Sequence, residues 1–190
     1  MEKITRFFIY FLVPIYLNSC GSVSSVVSMA ANAGISSKGF SASIEDSLLK
    51  AKIVAVITNL SISNISDITV SVSLGNVLLT GYCSDQLSRL KIVENVIKTD
   101  GVKKVYNEIQ IEQNVTINER AEDALFESRL MTRLLFKSGI NSNNYSLDVV
   151  GGKVYAIGLA ENIEEKNILE AFLRDMDDIP KLITIVNVKR

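Results

Sequence analysis

The sequence contains no histidine and no tryptophan, only two cysteines and two prolines, and no surplus of either charge, with 20 basic against 21 acidic residues in 190. Each shortage removes a class of function. Without histidine there is no Ser-His-Asp or Cys-His catalysis and no histidine-containing metal site, and two cysteines cannot build a four-thiolate zinc centre. The balanced charge lacks the basic excess of a nucleic-acid binder. The chain is therefore expected to be no enzyme and to need no metal, no cofactor and no nucleic-acid partner. What is present, 47% hydrophobic and 22% charged residues, suits one or two small domains with modest cores.

The first segment stands apart from the rest. Lys3 and Arg6 precede Phe7 to Leu17 (FFIYFLVPIYL), an apolar run too short to span a bilayer permanently and of the length of a secretory signal. Leu17-Asn18-Ser19-Cys20, followed by Gly21, resembles the bacterial lipobox, whose cysteine receives diacylglycerol and becomes the new N-terminus. Cys20 is the expected lipidation site, with residues 1–19 removed as signal peptide. An ordinary signal peptide, or an uncleaved anchor beside a chance cysteine, is the alternative. Several acyl chains, at about 0.8 kcal/mol per buried methylene, anchor stably where one would not. Taking Glu2, Lys3 and Arg6 from the 21 acidic and 20 basic residues leaves 20 and 18, so attraction to anionic lipid must be local. Cys83 is then the only other thiol, and no intramolecular disulfide forms.

Residues 20–45 are dominated by Ser, Ala, Gly and Val, the composition of a flexible tether. A short Ala-rich helix around Val26 to Ala33 is the competing reading. Beyond the tether the chain repeats itself. A shift of 77 residues lays Asp46–Glu112 on Asp123–Lys189 without a gap, so that Asp46 meets Asp123, Leu48 meets Leu125, Val72 meets Val149, Gly75 meets Gly152 and Gly81 meets Gly158. Apolar positions coincide where identities do not, as at Ile53 and Leu130 or Ile57 and Leu134. This is a tandem duplication.

The repeated unit reads as helix, strand, strand, helix, strand. Leu49, Ile53, Ile57 and Leu60 mark a helix starting near Asp46. Ile68, Val70, Val72 and Leu74 alternate as a strand, and Gly75-Asn76 forms the hairpin turn. Val77 to Thr80 returns, a helix from about Asp85 to Thr99 turns Leu90, Val93, Val96 and Ile97 inward, and Val105 to Glu112 closes the unit. The second copy repeats this with Phe126, Leu130 and Leu134 on a helix from Glu122 to Ser138, a Gly151-Gly152 hairpin, and a helix from Asn162 to Asp177 that Pro180 stops. In its last strand Leu182, Thr184, Val186 and Val188 line one face and Ile183 and Ile185 the other, where the first copy has Tyr106, Glu108 and Gln110. A strand apolar on both faces is covered on both sides, and the short linker 113–121 lets the copies dock along this surface.

The Gly75 and Gly81 pair, Asp100-Gly101-Val102 followed by Val105 and Asn107, and the opening Asp46 resemble the BON domain, a bacterial αββαβ module. The second copy keeps Asp123, Gly152 and Gly158 but departs at Asp178-Ile179-Pro180. With the lipobox, the chain resembles the dual BON-domain lipoproteins of the bacterial envelope. The resemblance implies an α+β protein with BON modules at 46–112 and 122–190, no enzymatic activity, and a role in outer-membrane integrity. It further implies binding of anionic phospholipid through the first helix of the second module. Gly21 lacks the aspartate that retains some lipoproteins at the inner membrane, so the expected place is the periplasmic face of the outer membrane.

On that helix Leu125, Arg129, Arg133 and Phe136 form a second stripe beside the core stripe, as an anionic, partly apolar interface favours. The competing reading packs Leu125 and Phe136 under a neighbouring domain and leaves the arginines solvated. The matching first-copy residues, Leu48, Lys52, Val56 and Asn59, are also mixed. A scaffold that binds envelope or cell-wall proteins is the alternative function. Cys83 reads as a buried structural thiol, and Glu161, Glu164, Glu165 and Asp177-Asp178 as solvated surface.

Overall fold

A computed structural model describes residues 40–60, 62, 68–176 and 181–189. The expected signal peptide, Cys20, most of the tether, Asp177-Asp178 and Ile179-Pro180 lie outside the described residues. Among the described residues the chain is a mixed α+β protein with four helices and two sheets.

The N-terminal half comprises α1 (Phe40–Thr58), β1 (Ile68–Ser73), β2 (Asn76–Cys83), α2 (Gln86–Ile97), β3 (Lys104–Asn107) and β4 (Gln110–Ile111). The C-terminal half comprises α3 (Ile117–Leu135), a 3-10 turn (Ser142–Asn144), β5 (Tyr145–Val150), β6 (Lys153–Ala160), α4 (Ile163–Arg174) and β7 (Lys181–Val188). Adding 77 to the bounds of α1, β1, β2 and α2 gives those of α3, β5, β6 and α4, and the span from the start of β3 to the end of β4 maps onto β7. In each half a central strand pairs antiparallel with its hairpin partner and parallel with the last strand.

One device recurs at the same offset. The Asp46 carboxylate accepts the amides of Leu74 and Gly75 at 2.8 and 3.1 Å, and Asp123 accepts those of Gly151 and Gly152 at 2.7 and 2.9 Å. The hairpin loop is thus Leu74-Gly75, one residue earlier than Gly75-Asn76. It places Leu74 at φ +52°, a left-handed conformation unfavourable for a residue with a Cβ. Two charge-assisted hydrogen bonds from the helix hold that strained turn.

The helices also differ from expectation. α1 starts at Phe40, so the expected tether 20–45 ends in helix, because no glycine or proline interrupts the chain from Phe40 until beyond Thr58. α3 covers residues 117–121 of the expected linker 113–121, because Thr116 and Glu119 form a capping box that starts the helix five residues before Glu122. It ends at Leu135 instead of Ser138. On α2, Ile92 and Val96 are the buried residues, while Leu90 and Ile97, expected inward, are 54% and 59% exposed. The last strand of the first half breaks between β3 and β4, where the Asn107 side chain accepts the Ile109 amide.

The two helices of each half cover one face of its sheet. Leu49, Ile53, Ile57, Ile92 and Val96 pack on Val70, Val72, Val77 and Leu79, and the C-terminal half repeats this around Leu130, Leu134, Leu169 and Leu173. Side chains alternate across a strand, so Leu78 and Tyr155 point the other way. There the two sheets meet: Leu78, Tyr82 and Tyr106 of the first half join Val150, Tyr155, Ile157, Ile183 and Ile185 of the second in a third apolar cluster. The docking surface read from Ile183 and Ile185 is the one the structure uses.

Polar groups cross the same junction. Gln110 Nε2 donates to Val150 O at 3.0 Å, Lys153 Nζ donates to Gln110 Oε1 at 3.0 Å, and the Thr80 hydroxyl donates to Asp148 Oδ2. Asp148 is 7% exposed and Thr80 1%. Desolvation, then the neighbouring charge and hydrogen-bonded carboxyl of Glu127 on α3, push the Asp148 carboxyl up to about 7.

Two outcomes follow from this junction. Ile183→Asp with Ile185→Asp should lower stability by roughly 2 kcal/mol or more, since each aspartate is buried without a partner. Thermal melting and limited proteolysis of residues 112–116 read this, and unchanged values would mean the face is not covered. Asp148 binds its proton more tightly when folded, so its contribution is full below the unfolded value of 3.8 and is lost as pH rises through about 7. Asp148→Asn keeps an acceptor for Thr80 and should flatten this decline. Denaturant unfolding at about pH 5 and about pH 8 should show the variant gaining stability only at the higher value.

Candidate functional site

The face of α3 opposite its core stripe is the candidate site. The helix starts at its capping box, runs without glycine or proline, and is followed by Gly139 at φ +81°. Leu130 and Leu134 are fully buried and Phe126 packs beside them, which fixes the rotation of the helix. Leu125, Arg129 and Arg133 then point to solvent, with Phe136 at the C-cap. Leu125 is 64% exposed and Phe136 84%. At 3.6 residues per turn the four fall within about 80° of arc. The structure brings these four sequence-derived candidates onto one face, while Cys20 lies outside the described residues.

Charge is graded along this helix. Its first turns carry Glu119, Glu122 and Asp123, and its last turns Arg129, Arg133 and then Lys137. Hydrogen bonds from the Thr116 amide and hydroxyl hold the Glu119 carboxyl below its ordinary range. The gradient suits the helix dipole, and it directs an anion to the C-terminal half of the face. The Arg129 guanidinium lies 5.7 Å from the centre of the Phe126 ring, so the side chain leans on the core while its charge stays in water. Beside it a cleft of about 540 Å³ is lined by Tyr82, Glu119, Glu122, Phe126 and Arg129. Burial, then the charges of Asp123 and Glu119, raise the Tyr82 hydroxyl, so Tyr82 stays neutral there.

Two exposed apolar residues of α3 were missed in sequence, Ile117 at 84% and Leu135 at 57%. The run Leu134-Leu135-Phe136 carried the signal, because one helix cannot bury three consecutive residues on one side. On α1 the matching Leu48 is 59% exposed and Lys52 and Asn59 are exposed, but Val56 is half-buried and Lys52 is the one basic residue of the four.

The remaining candidates have structural roles. Cys83 is 2% exposed, its thiol donates to Asp85 O at 3.4 Å, and burial pushes it up, which leaves it a poor nucleophile. Glu165, read as solvated surface, is buried at 6% instead. Its two oxygens accept the amides of Asn141 at 2.8 Å and Glu161 at 2.6 Å, tying the start of α4 to the loop after α3. Among the described residues no group of three or more His, Cys, Asp or Glu is placed to hold a metal ion, and no helix is long and apolar enough to cross a membrane.

Comparison with known proteins bears on this arrangement. A family model described as "BON domain" matches residues 45–113, most of the N-terminal half. A protein of Anaplasma centrale described as "Uncharacterized protein in gshII 5'region" is 36% identical over 125 residues, which span 65% of this chain and 83% of that one. Two structures of CdsD, described as a structural protein of the type III secretion system of Chlamydia trachomatis, are more distant. One, of its C-terminal domain, is 14% identical with a TM-score of 0.29 over 74% of this chain and 96% of that one. The other is 11% identical with a TM-score of 0.29 over 76% and 63%. Superpositions this loose decide nothing about fold or role. With over four-fifths of the Anaplasma centrale protein matched at 36% identity, the chain belongs to the same family as that protein, and its residues 45–113 are a BON domain.

Proposed function

We propose that this protein is a non-enzymatic bacterial envelope lipoprotein that recognises anionic phospholipid. Cys20 carries the lipid anchor and holds the chain at the periplasmic face of the outer membrane. Residues 40–112 and 117–189 are two BON modules packed back to back, and the second presents the outer face of α3 to the bilayer. The observation that carries this reading is the exposure, on one face, of Leu125 and Phe136 beside Arg129 and Arg133. Guanidinium groups at such a face pair with headgroup phosphates, and apolar residues enter the boundary beneath them. The protein-scaffold reading draws support from a different surface, the exposed stripe Leu87, Leu90 and Ile97 on α2.

Cys20→Ala should abolish labelling by a fatty-acid probe and release the processed chain from membranes; a mutant still labelled would refute lipidation at this residue. In that unanchored background, flotation with phosphatidylglycerol vesicles tests the face. Each arginine near an anionic surface contributes about 1 kcal/mol, lost as salt screens it. Arg129→Glu with Arg133→Glu should weaken binding by more than about tenfold, since repulsion replaces attraction. Phe136→Ala should weaken it less, and its effect should persist in high salt because burial is not screened. A charge-reversed chain that keeps its circular dichroism and still floats as before would exclude α3 as the lipid site.

A further inference from the structure

The two halves have the same backbone plan but treat the outer edge of their last strand differently. A parallel strand uses every second residue to bond one neighbour, leaving the alternate residues facing away. Glu108 and Glu112 donate to Leu79 O and Cys83 O, and Lys189 donates to Ala160 O. Hence Ile109 faces outward in the first half, and Leu182, Thr184, Val186 and Val188 face outward in the second. Ile109 is sealed: its amide donates to Asn107 Oδ1 at 3.3 Å and its carbonyl accepts from the Arg89 guanidinium at 3.2 Å.

The counterparts at the 77-residue offset are Thr184, Lys166 and Val186. The Thr184 hydroxyl turns to Glu170 at 3.5 Å, and Lys166 also lies against Glu170, at 4.0 Å. Neither caps Val186, and among the described residues no side chain bonds its amide or carbonyl. Val186 is 8% exposed, so water reaches these groups poorly, and backbone groups left so are costly. β7 is also unbroken over eight residues and uncharged from Leu182 to Val188, without the breaks and charges that blunt an edge.

We propose that the outer edge of β7 takes an extended strand of another polypeptide, apolar through its middle and acidic at both ends, as an added strand of the C-terminal sheet. Backbone hydrogen bonds to Thr184, Val186 and Val188 supply the pairing. The acidic ends are set by Lys181 and Lys189, which flank the edge. A second copy of β7 centred on this edge would oppose those lysines to one another. The proposal is independent of the lipid reading, which concerns α3.

The test uses the full chain and two synthetic peptides of alternating valine and threonine, one capped at both ends by aspartate and one by lysine. The aspartate-capped peptide should slow hydrogen exchange at the Thr184, Val186 and Val188 amides and leave Ile109 unchanged. The lysine-capped peptide should bind about fivefold or more weakly. Thr184→Asn with Lys166→Arg, which copies the seal of the first half, should weaken binding by about tenfold or more with an unchanged melting temperature. N-methylation of the aspartate-capped peptide should abolish binding, a control that needs no variant. The proposal is overturned by protection elsewhere, by equal binding of the sealed variant, or by a concentration-dependent dimer that the peptide fails to dissociate.

Discussion

The structure depends on the contact between two sheets that each have only one face covered by helices. A three- or four-stranded sheet with two helices on one side leaves the other side to water unless something packs there. In this chain that other side carries Leu78, Tyr82 and Tyr106 in one half and Tyr155, Ile157, Ile183 and Ile185 in the other. Tyr155 and Ile157 are each 1% exposed. Burying such residues, at about 25 cal/mol per Å² of apolar surface, fixes the halves back to back. The helices are thereby turned outward, and helix surfaces and strand edges are left for contact with other molecules.

The same contact explains a polar group that would otherwise look misplaced. Asp148 occupies the position of Ser71 at the 77-residue offset, on the face of β5 that meets the other half. A carboxylate there loses its hydration, and the Thr80 hydroxyl and the Glu127 carboxyl are its partners in place of water. The cost of ionising it ties the stability of the junction to pH. It also links α3, which carries Glu127 on its inner side and the candidate lipid face on its outer side.

The duplicated halves show which features the fold requires and which are free to diverge. Asp46 and Asp123 both hold the hairpin loop from the start of a helix, although the residues they hold differ, Leu74-Gly75 in one case and Gly151-Gly152 in the other. Asp85 and Asn162 both cap the second helix. The surfaces have separated instead: α2 exposes Leu87, Leu90 and Ile97, α3 carries two arginines where α1 has a lysine and a half-buried valine, and Ile109 is sealed where Val186 is not. One backbone plan thus presents distinct surfaces to distinct partners.

The order of elements, the repeat offset, the hairpins and the core stripes of α1 and α3 were legible in the sequence, because they rest on local periodicity and on turn residues. The two-faced β7 even indicated where the halves meet. Helix ends were misjudged at Phe40, Ile117 and Leu135. The Thr116–Glu119 capping box was readable but looked like linker, and composition near Ser41 does not separate tether from helix. The turning outward of Leu90 and Ile97, the left-handed Leu74, the burial of Glu165 and Asp148, and the unsealed edge at Val186 were decided by tertiary structure alone. Each depends on which residue, distant in sequence, occupies the neighbouring space, and periodicity carries no information about that.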